Sequence, residues 1–191
     1  MIKVVSILIF MLCCGSLVAF ADEPFGSRVR LKTNYGDIVL ELNSQAAPKT
    51  VENFLNYARE GFYDGTIFHR VIKGFMIQGG GLTGDMRKKE VREPIGNEAD
   101  NGLNNLRGSI AMARTGEPHS ATSQFFINTV DNHPLDHQDK TGKGWGYCVF
   151  GKVVEGMDVA DHIENVKTAS KAGRNDVPAE PVIIEQALLE E

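Results

Sequence analysis

Cysteine and tryptophan are scarce in this chain, with three of the first and one of the second. Cys13 and Cys14 lie in an apolar run at the N-terminus, so Cys148 stands alone in the remainder and no disulfide staple is available there. Stability must then come from a hydrophobic core, and 191 residues suffice to build one. An excess of positive charge is also lacking. The formal net charge is -5 at pH 7, which argues against a nucleic-acid-binding face. The one basic cluster, Arg87-Lys88-Lys89, runs into Glu90, Arg92 and Glu93 and reads as a solvated loop of mixed charge. Repeats, linkers and low-complexity tracts are absent. Hydrophobic residues at 42% and charged residues at 24% leave the balance of an ordinary globular domain.

The one long apolar run occupies residues 4–20, behind Lys3. Ala19-Phe20-Ala21 has the small-x-small form of a signal-peptidase site, and the polar Asp22-Glu23-Pro24 follows. The run is at the short end of the ~17–25 residues that a spanning helix needs. Residues 1–21 are therefore read as a cleaved signal peptide, 22–27 as a short extension and 28–191 as the working domain. A retained anchor and a lipoprotein are the alternatives. Against the lipoprotein, Met11 and Leu12 rather than a small residue precede the cysteines. The expectation is a periplasmic or secreted protein without stable membrane insertion.

Past residue 28 the pattern is that of short strands. Residues 28–33 and 38–42 alternate around the turn residues Asn34-Tyr35-Gly36-Asp37, which predicts a hairpin. Pro48 can open a helix, Val51, Phe54, Leu55 and Ala58 follow at helical spacing, and Gly61 can close it. Residues 67–72, 75–78, 109–114, 123–128, 147–154 and 182–189 read as strands. A short helix starting near Gly156 should bury Met157, Ala160 and Ile163. Many strands, two helices and no βαβ alternation favour an antiparallel sheet or barrel. Two long segments, 82–108 and 130–146, have loop character and are candidates for function.

Several catalytic signals fail on context. Gly79-Gly80-Gly81-Leu82-Thr83-Gly84 fits G-x-G-x-x-G, but Asp85-Met86-Arg87-Lys88-Lys89-Glu90 and then Pro94 leave no helix to hold a pyrophosphate. A glycine turn that permits close backbone approach is the better account. His133 and His137 stand four apart, but Pro134 opposes the helix that would aim both at a metal. No G-x-S-x-G is present. What remains is Phe68-His69-Arg70-Val71-Ile72-Lys73-Gly74-Phe75-Met76-Ile77-Gln78-Gly79-Gly80, which places Arg70 among apolar residues, on one face with Phe68 and Ile72 if the strand is regular. A cation there is costly unless paired or used. On these residues alone, a buried ion pair or a snorkelling edge arginine is the stronger account.

The wider context reverses that ranking. This segment resembles the signature of the cyclophilins. Ser123-Gln124-Phe125-Phe126-Ile127-Asn128 resembles the family's second core motif, and Leu135-Asp136 with Tyr147-Cys148-Val149-Phe150-Gly151-Lys152-Val153 its third. Asn53-Phe54 and Gly156-Met157-Asp158-Val159 also fit, so the likeness spans about residues 28–189. It implies a mainly β fold, a closed eight-stranded antiparallel barrel capped by two helices. The activity implied is peptidyl-prolyl cis/trans isomerisation of proline-containing polypeptides, with neither metal nor other cofactor; joined to the signal segment, it leads to the expectation of a monomer that assists the folding of exported proteins. A proline-segment binding module with incidental catalysis is the alternative. Arg70 is implied as the catalytic side chain. Phe75, Met76, Phe126 and Leu135 would cup the proline ring. Gln78 would orient the arginine, Ala113, Gln124 and Tyr147 would line the groove, and Arg114 would contribute through its backbone. Pro134 stands where many eukaryotic members carry a tryptophan, and Tyr147 where they carry a histidine. Weakened affinity for cyclosporin is therefore expected.

Overall fold

The computed structural model describes residues 26–190; the expected signal segment, 1–21, lies outside the described residues. Among the described residues, eleven strands and two helices follow one another. The first hairpin is β1 (Arg28–Thr33) and β2 (Gly36–Leu42), and α1 (Pro48–Arg59) comes next. Then come β3 (Thr66–Ile67), β4 (Arg70–Ile72), β5 (Met76–Gly79), β6 (Ser109–Met112) and β7 (Phe125–Asn128). A single 3-10 turn (His133–Leu135) precedes β8 (Val149–Glu155). The chain closes with α2 (Met157–Glu164), β9 (Thr168–Lys171), β10 (Arg174–Pro178) and β11 (Ile183–Glu190).

Local chemistry accounts for the clearest of these. The β1–β2 hairpin pairs in unbroken register from Arg28 with Glu41 to Thr33 with Gly36. Its inward residues Val29, Leu31, Ile38 and Leu40 are fully buried. Helix α1 starts with Pro48 in its first turn, where the missing N–H is no loss. It ends in a Schellman motif: the Phe62 N–H donates to Tyr57 O at 2.9 Å and the Gly61 N–H to Ala58 O at 3.0 Å. Gly61 supplies the left-handed turn at φ 64°. The Tyr57 and Phe62 rings, 4.5 Å apart, add the apolar contact that goes with this cap. Phe54, Tyr63, Phe125 and Phe150 form the aromatic centre of the main core.

Nine strands form one antiparallel sheet in the order β3-β11-β1-β2-β8-β6-β7-β5-β4, and β9 pairs with β10 separately. The sheet curls into a half-barrel carrying the two helices. Its outermost strands, β3 and β4, are separated in sequence by Phe68 and His69 alone. The Phe68 N–H bonds to Val182 O at 2.9 Å and the His69 N–H to Gln78 O at 3.0 Å. The expected strand 67–72 is thus divided, one half paired with β11 and the other with β5. Phe68 consequently packs in the main core, while Ile72 packs beside Met76 and Phe126. Of the face expected for Phe68, Arg70 and Ile72, Arg70 and Ile72 keep their common side of β4, opposite Gln78 and Met76, and only Phe68 leaves it.

Other differences are smaller. The β9–β10 hairpin was not expected, since most of its residues are exposed and show no apolar alternation. Met157 is only half-buried, whereas Ala160 and Ile163 are buried as expected. The two long segments are indeed largely irregular.

Candidate active site

Register across three strands places the central groups. Arg70 on β4 stands opposite Gln78 on β5, and Gln78 stands opposite Phe126 on β7. Arg70 Nη1 donates to Gln78 Oε1 at 3.4 Å, and Gln78 Nε2 donates to Gln124 Oε1 at 3.1 Å. None of the ion pairs among the described residues includes Arg70. The buried-ion-pair account of this arginine therefore has no partner to offer. Arg70 is half-buried, with its guanidinium tied only to a neutral amide.

Beside it lies a cavity of about 120 Å³. Arg70, Phe75, Met76, Gln78, Ala113, Arg114, Phe126, Leu135 and Tyr147 line it, so the structure gathers every residue implied for the site except Gln124 around one space. Its floor is a separate apolar cluster of Met76, Ala111, Phe126 and Val149, with Phe75, Leu135 and Tyr147 packed against it. Phe126 and Tyr147 meet edge to face at 5.6 Å. Gln124 lines an adjoining pocket of about 140 Å³, with Thr115, Ser120 and Thr122 and with Gln78, Ala113 and Arg114 as the shared wall. The glycine run explains how Gln124 fits there. A Cβ on Gly81 would lie 2.5 Å from Gln124 Cγ, so only glycine lets this backbone pass.

Arg114, expected to contribute through its backbone, also has a heavily engaged side chain. Its Nε donates to Gly146 O at 2.9 Å, Nη1 to Thr115 O at 2.9 Å and Nη2 to Gly142 O at 3.2 Å. The guanidinium also lies over the Tyr147 ring, 4.8 Å from its centroid. One side chain thus binds the 142–147 loop to the 113–116 segment. Trp145 packs between His119 and His137, at 4.9 and 5.3 Å between ring centroids, and does not line the cavity. The basic cluster is largely spoken for: Arg87 pairs with Asp85, Arg92 with Glu60, and Lys89 donates to Phe62 O.

Two titratable groups flank the site without lining it. His69 is 3% exposed, and its Nδ1 has no hydrogen-bond partner among the described residues. Burial first, and then the nearby Arg174 charge, lower its pKa to about 4, so it is neutral at pH 7. Burial raises the Cys148 thiol to about 11, partly offset by the Thr50 hydroxyl 3.5 Å away. Such a thiol is inert as a nucleophile. A larger cavity, about 490 Å³, opens elsewhere among Leu42, Leu103, Leu106, Val149 and Lys152. It contains none of the implied site residues and no convergent catalytic set, so size does not select the site.

Sequence reasoning missed Ser120 and Thr122, and it missed the buried Asn105, Asn128 and Asn132 behind the cavity. Asn128 could have been noticed: an amide ending Phe125-Phe126-Ile127 must find buried partners. Taken as chemistry, the site offers a fixed cation over an apolar cup, with no nucleophile and no acid–base pair lining it.

Comparison with known proteins points the same way. The family model described as "Cyclophilin type peptidyl-prolyl cis-trans isomerase/CLD" matches residues 28–188. Peptidyl-prolyl cis-trans isomerase cyp18 of Streptomyces antibioticus is 63% identical over 161 residues, covering 84% of this chain and 97% of that protein. Peptidyl-prolyl cis-trans isomerase B of Escherichia coli (strain K12) is 58% identical over 163 residues, covering 85% and 99%. Among solved structures, a cyclophilin type peptidyl-prolyl cis-trans isomerase of Cryptosporidium parvum superposes with a TM-score of 0.72 at 30% identity, covering 87% of this chain and 99% of its own.

Proposed function

The chain belongs to the cyclophilin-type peptidyl-prolyl cis-trans isomerase family and is such an enzyme, and from that premise we propose that Arg70 is its catalytic side chain. The observation that carries the proposal is an arginine, without a carboxylate partner among the described residues, on the wall of an apolar cup.

The barrier to rotation about a peptide bond is ~18–20 kcal/mol, because resonance gives the C–N bond double-bond character. Rotation makes and breaks no covalent bond, so the site need only bind the twisted state better than either planar isomer. As the bond twists, the proline nitrogen becomes pyramidal and gains a lone pair. A guanidinium N–H donated to that nitrogen favours the twisted state and opposes resonance. Phe75, Met76, Phe126 and Leu135 seat the ring, exclude water and so strengthen the interaction. Gln78 holds Arg70 from across the ladder, which means the donor does not have to be organised during the reaction.

Catalytic efficiency on a proline-containing peptide tests this. Removing one preorganised donor costs about a hundred- to a thousandfold, so Arg70→Ala should lose most activity. Arg70→Lys should recover little, since a lysine lacks the planar fork. Full activity in Arg70→Ala would overturn the assignment.

The enzyme is further proposed to act as a monomer on exported proteins, outside the cytoplasm. The apolar run, the Ala19-Phe20-Ala21 pattern and the polar residues after it support this. No helix among the described residues is long and apolar enough to cross a membrane. Expressed from its full sequence, the chain should be recovered outside the cytoplasm with Asp22 as its first residue. Recovery in the cytoplasm with residues 1–21 intact would contradict the proposal. The same reading takes residues 66–72 as one kinked strand, which would close the sheet into an eight-stranded barrel. The bonds from Phe68 to Val182 and from His69 to Gln78 support it.

A further inference from the structure

Three walls of the cup are not placed by strand pairing. Phe75 lies in the turn between β4 and β5, Leu135 ends the 3-10 turn, and Tyr147 precedes β8. What they share is a run of buried amides. Asn132 Nδ2 donates to Phe75 O at 2.9 Å and to Asn128 Oδ1 at 2.6 Å. Asn128 Nδ2 donates to Asn105 Oδ1 at 3.2 Å and to Ser109 Oγ at 2.8 Å. Asn105 Nδ2 reaches Leu135 O at 3.2 Å, Tyr147 O at 3.3 Å and Asp136 Oδ1 at 3.1 Å. Two backbone bonds complete the frame: the Asn105 N–H to Asp136 Oδ1 at 2.6 Å, and the Asn132 N–H to Asn105 O at 2.7 Å.

Burial makes this frame stiff. Asn105 and Asn128 are fully buried, and Asn132 is 6% exposed. Outward movement of a wall would strip a buried donor or carbonyl of its partner, with no water to replace it. The amide orientations are fixed as well. Flipping Asn105 would turn its oxygen towards two carbonyls and a carboxylate. Satisfied networks of this kind rigidify and select one arrangement.

We infer that Asn105, Asn128 and Asn132 are positioning residues for isomerisation: their continuous hydrogen-bond run fixes the spacing of Phe75, Leu135 and Tyr147, and thereby the ring size that the cup accepts. The inference rests on the cup being the proline seat. Strand pairing alone places Met76 and Phe126. The amide frame adds the loop-borne walls, so the enzyme should favour a five-membered imino acid over its six-membered homologue.

The test compares kcat/KM on two peptides that differ only in carrying proline or pipecolate, for wild type, Asn132→Ala, Asn128→Ser and Phe126→Ala. Wild type is expected to prefer proline. In the two asparagine variants the proline rate should fall on the order of tenfold to a hundredfold and the preference should narrow. Loss of folded protein alone lowers both rates together and leaves their ratio unchanged. An unchanged ratio, or equal wild-type rates, would overturn the inference. Phe126→Ala separates it from the reading beneath: full activity there means that the cup is not the proline seat. Should neither asparagine variant fold, the side-chain amide NMR signals of the wild-type asparagines decide. They should shift on saturation with the proline peptide and not with its alanine counterpart. Signals that stay still would overturn the inference.

Discussion

Arg70, Met76, Gln78 and Phe126 stand on β4, β5 and β7, in register with one another across a continuous ladder. Phe75, Leu135, Tyr147 and the Arg114 guanidinium stand on turns and loops, held by side-chain hydrogen bonds to backbone carbonyls. The strand half inherits its geometry from the sheet and loosens only when the sheet does. The loop half depends on a few amides and one guanidinium, any of which a single substitution removes. Charge and floor thus come from the cooperative part of the fold, and rim shape from its locally adjustable part.

The largest expected effect attacks the strand half. Phe126 is 4% exposed within the floor, and truncating a buried phenylalanine costs about 3–5 kcal/mol. Phe126→Ala should therefore lower the urea midpoint as well as activity; an unchanged midpoint would mean that the floor is not part of the cooperative unit. Next comes pH, through His69 between β3 and β4. Its folded pKa is about 4, against an ordinary value of 6.5, so the unfolded chain takes up a proton that the folded chain refuses. Stability should stay full above about pH 6.5 and be lost as pH falls towards 4, by about 2–3 kcal/mol. Urea unfolding across that range in wild type and His69→Phe checks it, since the substitution should remove this part of the slope.

Effects on the loop half should be smaller. Arg114→Ala frees the 142–147 loop from the 113–116 segment. KM should rise about tenfold with kcat less affected, the pattern of lost binding geometry. Steady-state kinetics with an equal fall in kcat would place Arg114 with the strand half instead. The smallest signal is inhibitor affinity. With Pro134 in the 3-10 turn and Trp145 held between two histidines, cyclosporin titration should give weak binding. Tight binding would mean that Trp145 leaves its histidines to cover the groove.

The two halves were also unequally legible. Alternation in residues 28–42 and the helical spacing from Val51 to Ala58 are local signals, and those elements formed where expected. Arg70 and Gln78 could be named because the motif places them a strand apart, and pairing then sets them opposite each other. The break at Phe68-His69 was not legible. It follows from two different partners, Val182 and Gln78, claiming successive N–H groups. Nor was the Arg114 contact with Gly142 and Gly146, because loop carbonyls carry no signal in side-chain pattern. The amide frame has the same origin. Asn105 and Asn132 look like turn residues, and Asn128 like an ordinary strand end, until the chain has folded and buried them together.

The central claim is that Arg70 stabilises the twisted peptide bond and does little to hold the planar one. Its most direct test is NMR on Arg70→Ala, with cis/trans exchange of the bound peptide and peptide affinity measured separately. The account predicts on-enzyme exchange slowed by about a hundred- to a thousandfold with affinity little changed. Exchange at the wild-type rate, with activity lost only through weaker binding, would contradict it.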